Sequence, residues 1–308
     1  MKHTMNEKTK KMSEMNEVLV MNEEGTVVLG IDESVKNSVE CVVVPKGVVS
    51  IGEDAFEGCK ALKKVVLPSS IKNIGNSAFY DCGKLEEINL PEGLEEVGDN
   101  AFQECTSLRS VELPKSVTTL GENAFYMCDE IRRLVIPASV SSIGEELLGL
   151  CPNLEWVEVE EGNKAFKSVD GALYDISGEV LYCVPAKSVR GKYVVPEGVK
   201  VIHNTAFSDC ADLEEVVVPA GVTCIERSAF YRCKSLRSVH LPEGLKAIGT
   251  NAFEDCESLV SVNLPEGLKS IEHCAFGNCP SLKSIHIPDS IARYCECVFQ
   301  GSPTKRNK

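Results

Sequence analysis

Pro45-Lys-Gly-Val-Val-Ser-Ile-Gly-Glu-Asp-Ala-Phe-Glu-Gly-Cys-Lys-Ala-Leu-Lys-Lys-Val-Val-Leu67 is one copy of a 23-residue unit that fills most of the chain. Phenylalanine returns every 23 residues at 56, 79, 102 and 125, then at 207, 230, 253, 276 and 299. Leu148 fills the slot after Phe125. Proline keeps the same step at 45, 68, 91, 114 and 137, then at 196, 219, 242, 265 and 288. Cysteine follows at 59, 82, 105, 128 and 151, then at 210, 233, 256 and 279. A fixed period of this length marks a stacked-repeat architecture, in which each unit buries its apolar face against its neighbours.

Two spacings coexist inside one unit. Leu62, Val65 and Leu67 end in the alternation of a strand, and Pro68, with no N–H to donate, closes it. Ala55, Phe56 and Cys59 fall at i, i+1 and i+4, the spacing of one helical face. The preceding residue is Asp54, Ser77, Asn100, Asn123, Ser228 or Asn251 in six units, a set of side chains that cap helices. The expected fold is an α/β repeat solenoid. It is a right-handed coil with a parallel β-sheet on the concave face, short helical turns on the convex face and an inserted β-hairpin. One glycine per unit, at Gly52, Gly75, Gly98 and Gly121, reads as a turn requirement.

The period breaks between Pro137 and Pro196, a gap of 59 residues. Within it, apolar residues flank Ser177-Gly178, the pattern of a hairpin, and Val18–Leu29 repeats that pattern around Gly25. The chain therefore reads as an internal duplication, each half a hairpin followed by five repeats. The expected boundaries are a disordered tail at 1–17, a capping hairpin and first strand at 18–44, and a repeat block at 45–160. The inserted hairpin follows at 161–195, a second block at 196–303 and a tail at 304–308. The first hairpin would cap an end of the stack; the second would be a protrusion or a bend.

The unit Ile-Gly-x-x-Ala-Phe-x-x-Cys-x-x-Leu-x-x-Val-x-Leu-Pro resembles the BspA-like, Treponema-type class of leucine-rich repeats, over about Val18 to Pro303. The segment Asn163 to Tyr174 is similar to an insertion that recurs in that family. The resemblance implies a non-enzymatic protein-binding module, in many members a surface protein implicated in adhesion to host proteins or cells.

Composition narrows the partners. The 308 residues carry 46 acidic and 32 basic side chains, a net charge of −14, which disfavours nucleic acid and anionic membrane. Met1 to Met12 lacks the apolar core of a secretory signal, so the chain as it stands reads as cytoplasmic, while the family resemblance implies the cell surface. Fifteen cysteines would mark a disulfide scaffold in a small secreted protein, but nine of them ride the repeat. There they read as free, buried, small apolar residues. No Cys-x-x-Cys or histidine sits with them at zinc spacing, and no nucleophile elbow or phosphate loop is present, so neither metal, cofactor nor catalytic residues are expected.

What remains is surface. In Leu-x-x-Val-x-Leu, the residues flanking Val point outward, onto the concave side. The candidate partner-binding residues in that column are Arg133, Trp156 and Glu158, with His240, Asn263 and His286 further along. Trp156 is the only tryptophan, and Trp and Arg are enriched where few residues carry most of the affinity. It either anchors a protein partner or packs beneath the inserted hairpin. A structural or scaffold protein that self-associates or joins a larger assembly is the alternative function.

Overall fold

The computed structural model describes residues 18–291 and 296–307. The chain forms two compact units. The first runs to Leu148 and includes Val159–Ala165; the second comprises Gly149–Glu158 and the chain from Phe166 onward. The expected tail at 1–17 lies outside the described residues.

Within each unit successive rungs lay down two parallel ladders. One ladder comes from the Leu-x-x-Val-x-Leu segment. In the first unit it joins Cys41–Val43, Lys64–Val66 and Glu87–Asn89 in register, with Cys41 opposite Lys64 and Lys64 opposite Glu87. In the second it joins Gly191–Val194, Leu213–Val217, Ser238–His240 and Ser261–Val262. The other ladder uses two-residue strands before each glycine slot, such as Ser50–Ile51, Asn73–Ile74 and Glu96–Val97, and in the second unit Val201–Ile202, Cys224–Ile225 and Ala247–Ile248. Each unit thus holds a seven-stranded sheet of this second kind.

Both seven-stranded sheets begin with an antiparallel hairpin. Leu19–Met21 pairs with Val27–Ile31, which runs parallel to Ser50–Ile51. Ala172–Asp175 pairs with Val180–Cys183, which runs parallel to Val201–Ile202. Their turns are built alike. The Asn22 side chain accepts the Thr26 and Val27 amides at 2.8 and 2.9 Å, and Asp175 accepts those of Ser177 and Val180 at 3.1 and 2.7 Å. Gly25 and Gly178 hold the left-handed backbone that each turn needs, at φ 67° and 83°. The segment expected as an inserted hairpin also carries a third strand, Phe166–Val169, antiparallel to Ala172–Asp175. At the other end Lys305–Asn307, expected as a tail, pairs in parallel with Ser284–His286 as a further rung.

The helical turns expected on the convex side are absent; among the described residues the one helix is a 3-10 turn at Glu296–Phe299. The reason lies in where the backbone amides go. Asp54, Ser77, Asn100, Asn123, Ser228 and Asn251 have φ between 51° and 57°, not the extended backbone of a helix cap. Asp54 N–H donates to Asn76 O of the next rung at 3.0 Å, Phe56 to Ala78 O at 2.8 Å and Gly58 to Tyr80 O at 2.7 Å. The intervening amides close three-residue steps instead, Glu57 to Asp54 O at 3.0 Å and Cys59 to Phe56 O at 3.1 Å. An α-helix would turn every one of these N–H groups back four residues along its own axis and leave the next rung unpaired. Asn, Asp and Ser suit the slot because their short polar side chains tolerate left-handed backbone.

The glycine column also has a different cause from the one expected. Gly75, Gly98, Gly121 and Gly144 are not among the positive-φ residues; a Cβ on Gly121 would lie 2.4 Å from Asp99 N of the preceding rung, and one on Gly144 2.2 Å from Glu122 N. Close approach of rung to rung, not turn geometry, excludes a side chain there. The second unit keeps this close contact at Gly249, where a Cβ would lie 2.7 Å from Glu226 C, and places His203, Glu226 and Glu272 at the other positions of the column.

Inside, like residues stack on like. The rings of Phe56, Phe79, Phe102 and Phe125 lie face to face at 5.1, 5.2 and 5.5 Å, and Phe207 to Phe276 do the same at 4.7 to 5.3 Å. That is close to the spacing of neighbouring strands, about 4.8 Å, so the backbone ladder dictates the ring geometry. The nine repeat cysteines are free and buried. Within each run of rings the thiol donates to the Phe carbonyl one rung back: Cys82 to Phe56 O at 3.1 Å, Cys105 to Phe79 O at 3.2 Å, Cys128 to Phe102 O at 3.1 Å and Cys233 to Phe207 O at 3.1 Å, while Cys210, which follows the insertion, donates to Val184 O at 3.7 Å. The column needs a small residue with one weak donor, which is what a thiol is.

Two expectations follow. Phe102 has a ring on both faces, so Phe102→Ala should cost about 3–5 kcal/mol by urea unfolding. Phe299, in the last repeat and stacked on Phe276 at the longer distance of 5.9 Å, should cost clearly less. Second, burial raises the pKa of Cys210, Cys233 and Cys256 well above the ordinary thiol value of 9.0. Above pH 9 the unfolded chain releases these protons while the folded chain keeps them, so stability falls as pH rises and is unaffected by them below. Each such thiol should contribute about 1.4 kcal/mol of loss per pH unit. Urea titrations at pH 8 and pH 10 would measure this, and a Cys233→Ser variant should flatten the dependence.

Candidate binding surface

The outward residues of the strand ladder are the ones that alternation assigns. Lys64 and Glu87 form an ion pair across neighbouring strands of the first unit. In the second, Lys192 Nζ and His240 Nε2 both approach Glu215 Oε1, at 2.8 and 3.3 Å. The Lys192 ammonium, with His240 adding to it, holds the Glu215 carboxyl below its usual range. His286 Nε2 lies 3.4 Å from a different carboxylate, Glu266 Oε1. His240, Asn263 and His286 are all exposed, but the two histidines belong to separate charge pairs and do not converge. Among the described residues no three His, Cys, Asp or Glu side chains gather closely enough to hold a metal ion.

The first unit contains a feature that the repeat pattern did not announce. The strand ladder stops at Glu87–Asn89; the next rung makes a single bridge, Val111 to Leu134, on its far side. A depression of about 450 Å³ opens there, lined by Lys64, Val66, Glu87, Asn89, Ser110 and Glu112. Asn89, at the edge of the depression, turns its side chain back to the preceding rung, where Oδ1 accepts Leu67 N–H at 2.8 Å and Nδ2 donates to Leu67 O at 2.9 Å. The outward column changes character at this residue, since the previous two rungs carry Val43 and Val66. Arg133 is exposed at the start of the strand Arg133–Ile136 in this unit.

Trp156 opens the strand Trp156–Val159, with Glu158 half-buried two residues on. The indole is 44% exposed. One side of it lies under the turn Asp170-Gly171, where a Cβ on Gly171 would sit 2.7 Å from Trp156 Cε3. Val157 N–H donates to Gly171 O at 3.0 Å and fixes that approach. Asp170 and Gly171 have φ 51° and 82°, a two-residue turn that joins Phe166–Val169 to Ala172–Asp175. The hairpin therefore covers part of the ring and leaves the rest to solvent.

Parallel strand ladders, a regular apolar interior and a variable outward strand face define a stacked-repeat protein of the leucine-rich type. A sequence profile described as BspA type Leucine rich repeat region matches residues 34–155 and 187–305, in six copies, and the chain belongs to that family. Solved structures agree in fold. A leucine rich cell surface protein from Faecalibacterium prausnitzii shares 24% identity over 94% of this chain and 93% of its own, with a TM-score of 0.77. The pneumococcal vaccine antigen PcpA shares 26% over 91% and 72%, with a TM-score of 0.80. A leucine-rich repeat protein from Eubacterium ventriosum shares 26% over 92% and 90%, with a TM-score of 0.69. No curated protein matches the chain.

Half-covered by a backbone turn, Trp156 should emit between the maxima of a buried indole and the denatured chain, and be quenched by acrylamide to an intermediate degree. Gly171→Ala should move the emission toward the denatured maximum, because the new methyl cannot share the space of the ring. The variant should also lose about 1 kcal/mol or more, since φ 82° is unfavourable for alanine.

Proposed function

We propose that the chain is a non-enzymatic protein-binding module that works through the outward face of its strand ladders, with Trp156 as an anchor and Glu158 beside it. The observation that carries this reading is the state of Trp156. A large aromatic ring is exposed on one side and held rigidly on the other by the Gly171 backbone, so a partner gains apolar contact at little ordering cost. Arg133 in the first unit, and His240, Asn263 and His286 in the second, are further polar contacts on outward positions. Leucine-rich repeat proteins mediate protein–protein interaction, and the similar structures include a bacterial cell surface protein and a vaccine antigen. These support adhesion to a host protein as the specific role.

The test is a panel of host extracellular-matrix and cell-surface proteins, screened against the immobilised chain by surface plasmon resonance. A saturable protein ligand is expected. Trp156→Ala should weaken it by about 2 kcal/mol or more, roughly thirty-fold, with the thermal midpoint nearly unchanged. Unchanged affinity together with a clear fall in the midpoint would retire Trp156 as an anchor.

A further inference from the structure

The two units carry the same hairpin, yet among the described residues a further strand pairs with only one of the two. Counting from Gly25 and Gly178, Leu19 matches Ala172, Val20 matches Leu173, Met21 matches Tyr174, Val28 matches Leu181 and Leu29 matches Tyr182. The inward positions agree, since Val28 and Leu181 are both fully buried. The outward positions do not. Leu173 is 1% exposed, whereas Val20 is 47% exposed; Tyr182 meets the edge of the Phe166 ring at 5.8 Å, whereas Leu29 is 52% exposed. In the second unit the strand Phe166–Val169, which carries the ring that meets Tyr182, pairs along the outer edge of Ala172–Asp175 from Phe166 opposite Asp175 to Val169 opposite Ala172. Among the described residues, nothing pairs with the outer edge of Leu19–Met21.

The edge is chemically complete for pairing. Val18 O and Asn22 N already bond inward, to Asp32 N at 2.8 Å and Val27 O at 3.0 Å. In an antiparallel ladder the alternate residues then turn their groups the other way, so Leu19 and Met21 present N–H and C=O to the open side. The end rung of a repeat stack normally carries a polar outer face, and edges are blunted by charge or bulges. Val20 and Leu29 do neither, which is what a terminating cap would avoid.

We propose that this edge is a strand-docking site whose occupant is an extended segment of a partner protein, added antiparallel to Leu19–Met21. That segment carries a bulky apolar side chain where Phe166 stands in the second unit. The internal copy supplies both the geometry and the chemistry of the occupant. The partner's main chain bonds Leu19 and Met21, and its aromatic or branched side chain covers Leu29 as Phe166 covers Tyr182. This is recognition by strand addition, in which main-chain bonds give affinity and alternate side chains give selectivity.

The probe is the synthetic peptide Lys-Ala-Phe-Lys-Ser-Val-Asp, the sequence of residues 164–170, titrated against the full chain by fluorescence anisotropy. Saturable binding is expected. It should weaken at least tenfold with Val20→Asp, and likewise when the peptide's Phe is replaced by Ala. Both chain residues are exposed, so Val20→Asp should leave the thermal midpoint unchanged. N-methylation at the peptide's second Lys or at its Val should abolish binding, because those amides face the edge, whereas N-methylation at its Ser should be tolerated. Hydrogen exchange gives the second readout, with the Leu19 and Met21 amides fast in the free chain and protected by the peptide. Absence of saturable binding, or binding indifferent to Val20→Asp and to N-methylation, overturns the proposal. So does protection of both amides in the free chain, which would mean that another part of the chain, or a second copy, already fills the edge.

Discussion

Each rung depends on one oxygen. Phe56 O accepts Cys59 N–H of its own rung at 3.1 Å and the Cys82 thiol of the next rung at 3.1 Å, and Phe79 O accepts Cys82 N–H and the Cys105 thiol, both at 3.2 Å. The first bond closes the turn around the ring; the second seats the following rung. A valine in the cysteine slot would fill the space but leave that lone pair unmet in an interior without water, where an unmade bond is costly. A hydroxyl is the other small donor, and where the cysteine column reaches position 302 it holds Ser302, whose Oγ donates to Phe276 O at 2.7 Å. The constancy of the 23-residue step follows from this. One added residue would carry the donor off the carbonyl and every ring off its neighbour, so irregularity is confined to stretches such as Pro152 to Val195 that lie outside the column.

The same bonding explains what could and could not be read from the residues. Strand positions were legible because alternation leaves no choice: the partners of Lys64 are Cys41 and Glu87, one period away on each side. The convex side was not, because Ala55, Phe56 and Cys59 at i, i+1 and i+4 share one face of a helix and also one face of linked turns. Asp, Asn and Ser before them serve equally as helix caps and as left-handed residues. A discriminating signal existed four residues later. Gly58, Asp81, Asp209, Asp255 and Asn278 stand in a second left-handed slot, a residue type that a helix has no use for in mid-turn, but Glu104, Met127, Leu150 and Arg232 fill the same slot and blur the signal. The glycines misled for a related reason, since a slot that excludes Cβ by rung contact and a slot that needs positive φ leave the same letter.

Function is written in the departures. Positions that face inward are fixed by stacking and say nothing about a partner, so the informative residues are those where an outward slot changes character: Asn89 after Val43 and Val66, Trp156 after Arg133, His240 after Val217. The alternation placed Trp156 on the outward face correctly. It could not disclose that Gly171 lies against the ring, because that contact comes from an insertion outside the period, and a glycine there looks like any other turn residue. The depression beside Asn89 was hidden for the opposite reason. It arises from bonds that are not made, between Glu87–Asn89 and the rung that follows, and a repeat pattern records only the bonds that are.

The duplicated hairpins separate what the stack requires from what the surface does with it. Both copies keep a buried apolar residue at the start of the parallel pairing, Val28 and Leu181, and both keep the same side-chain-bonded turn, because the first short strand of each unit needs a neighbour to complete its ladder. Those features are the structural minimum. Everything that distinguishes the copies lies on the other side of the strand, where one presents Val20 and Leu29 to solvent and the other lies beneath Phe166 and the Asp170-Gly171 turn. Stacking cannot select for exposed apolar side chains, since the ladder closes without them and charge there would keep the edge from unwanted pairing. Val20 and Leu29 are therefore residues that the ladder does not need, and the second unit shows the shape that a contact covering such positions takes.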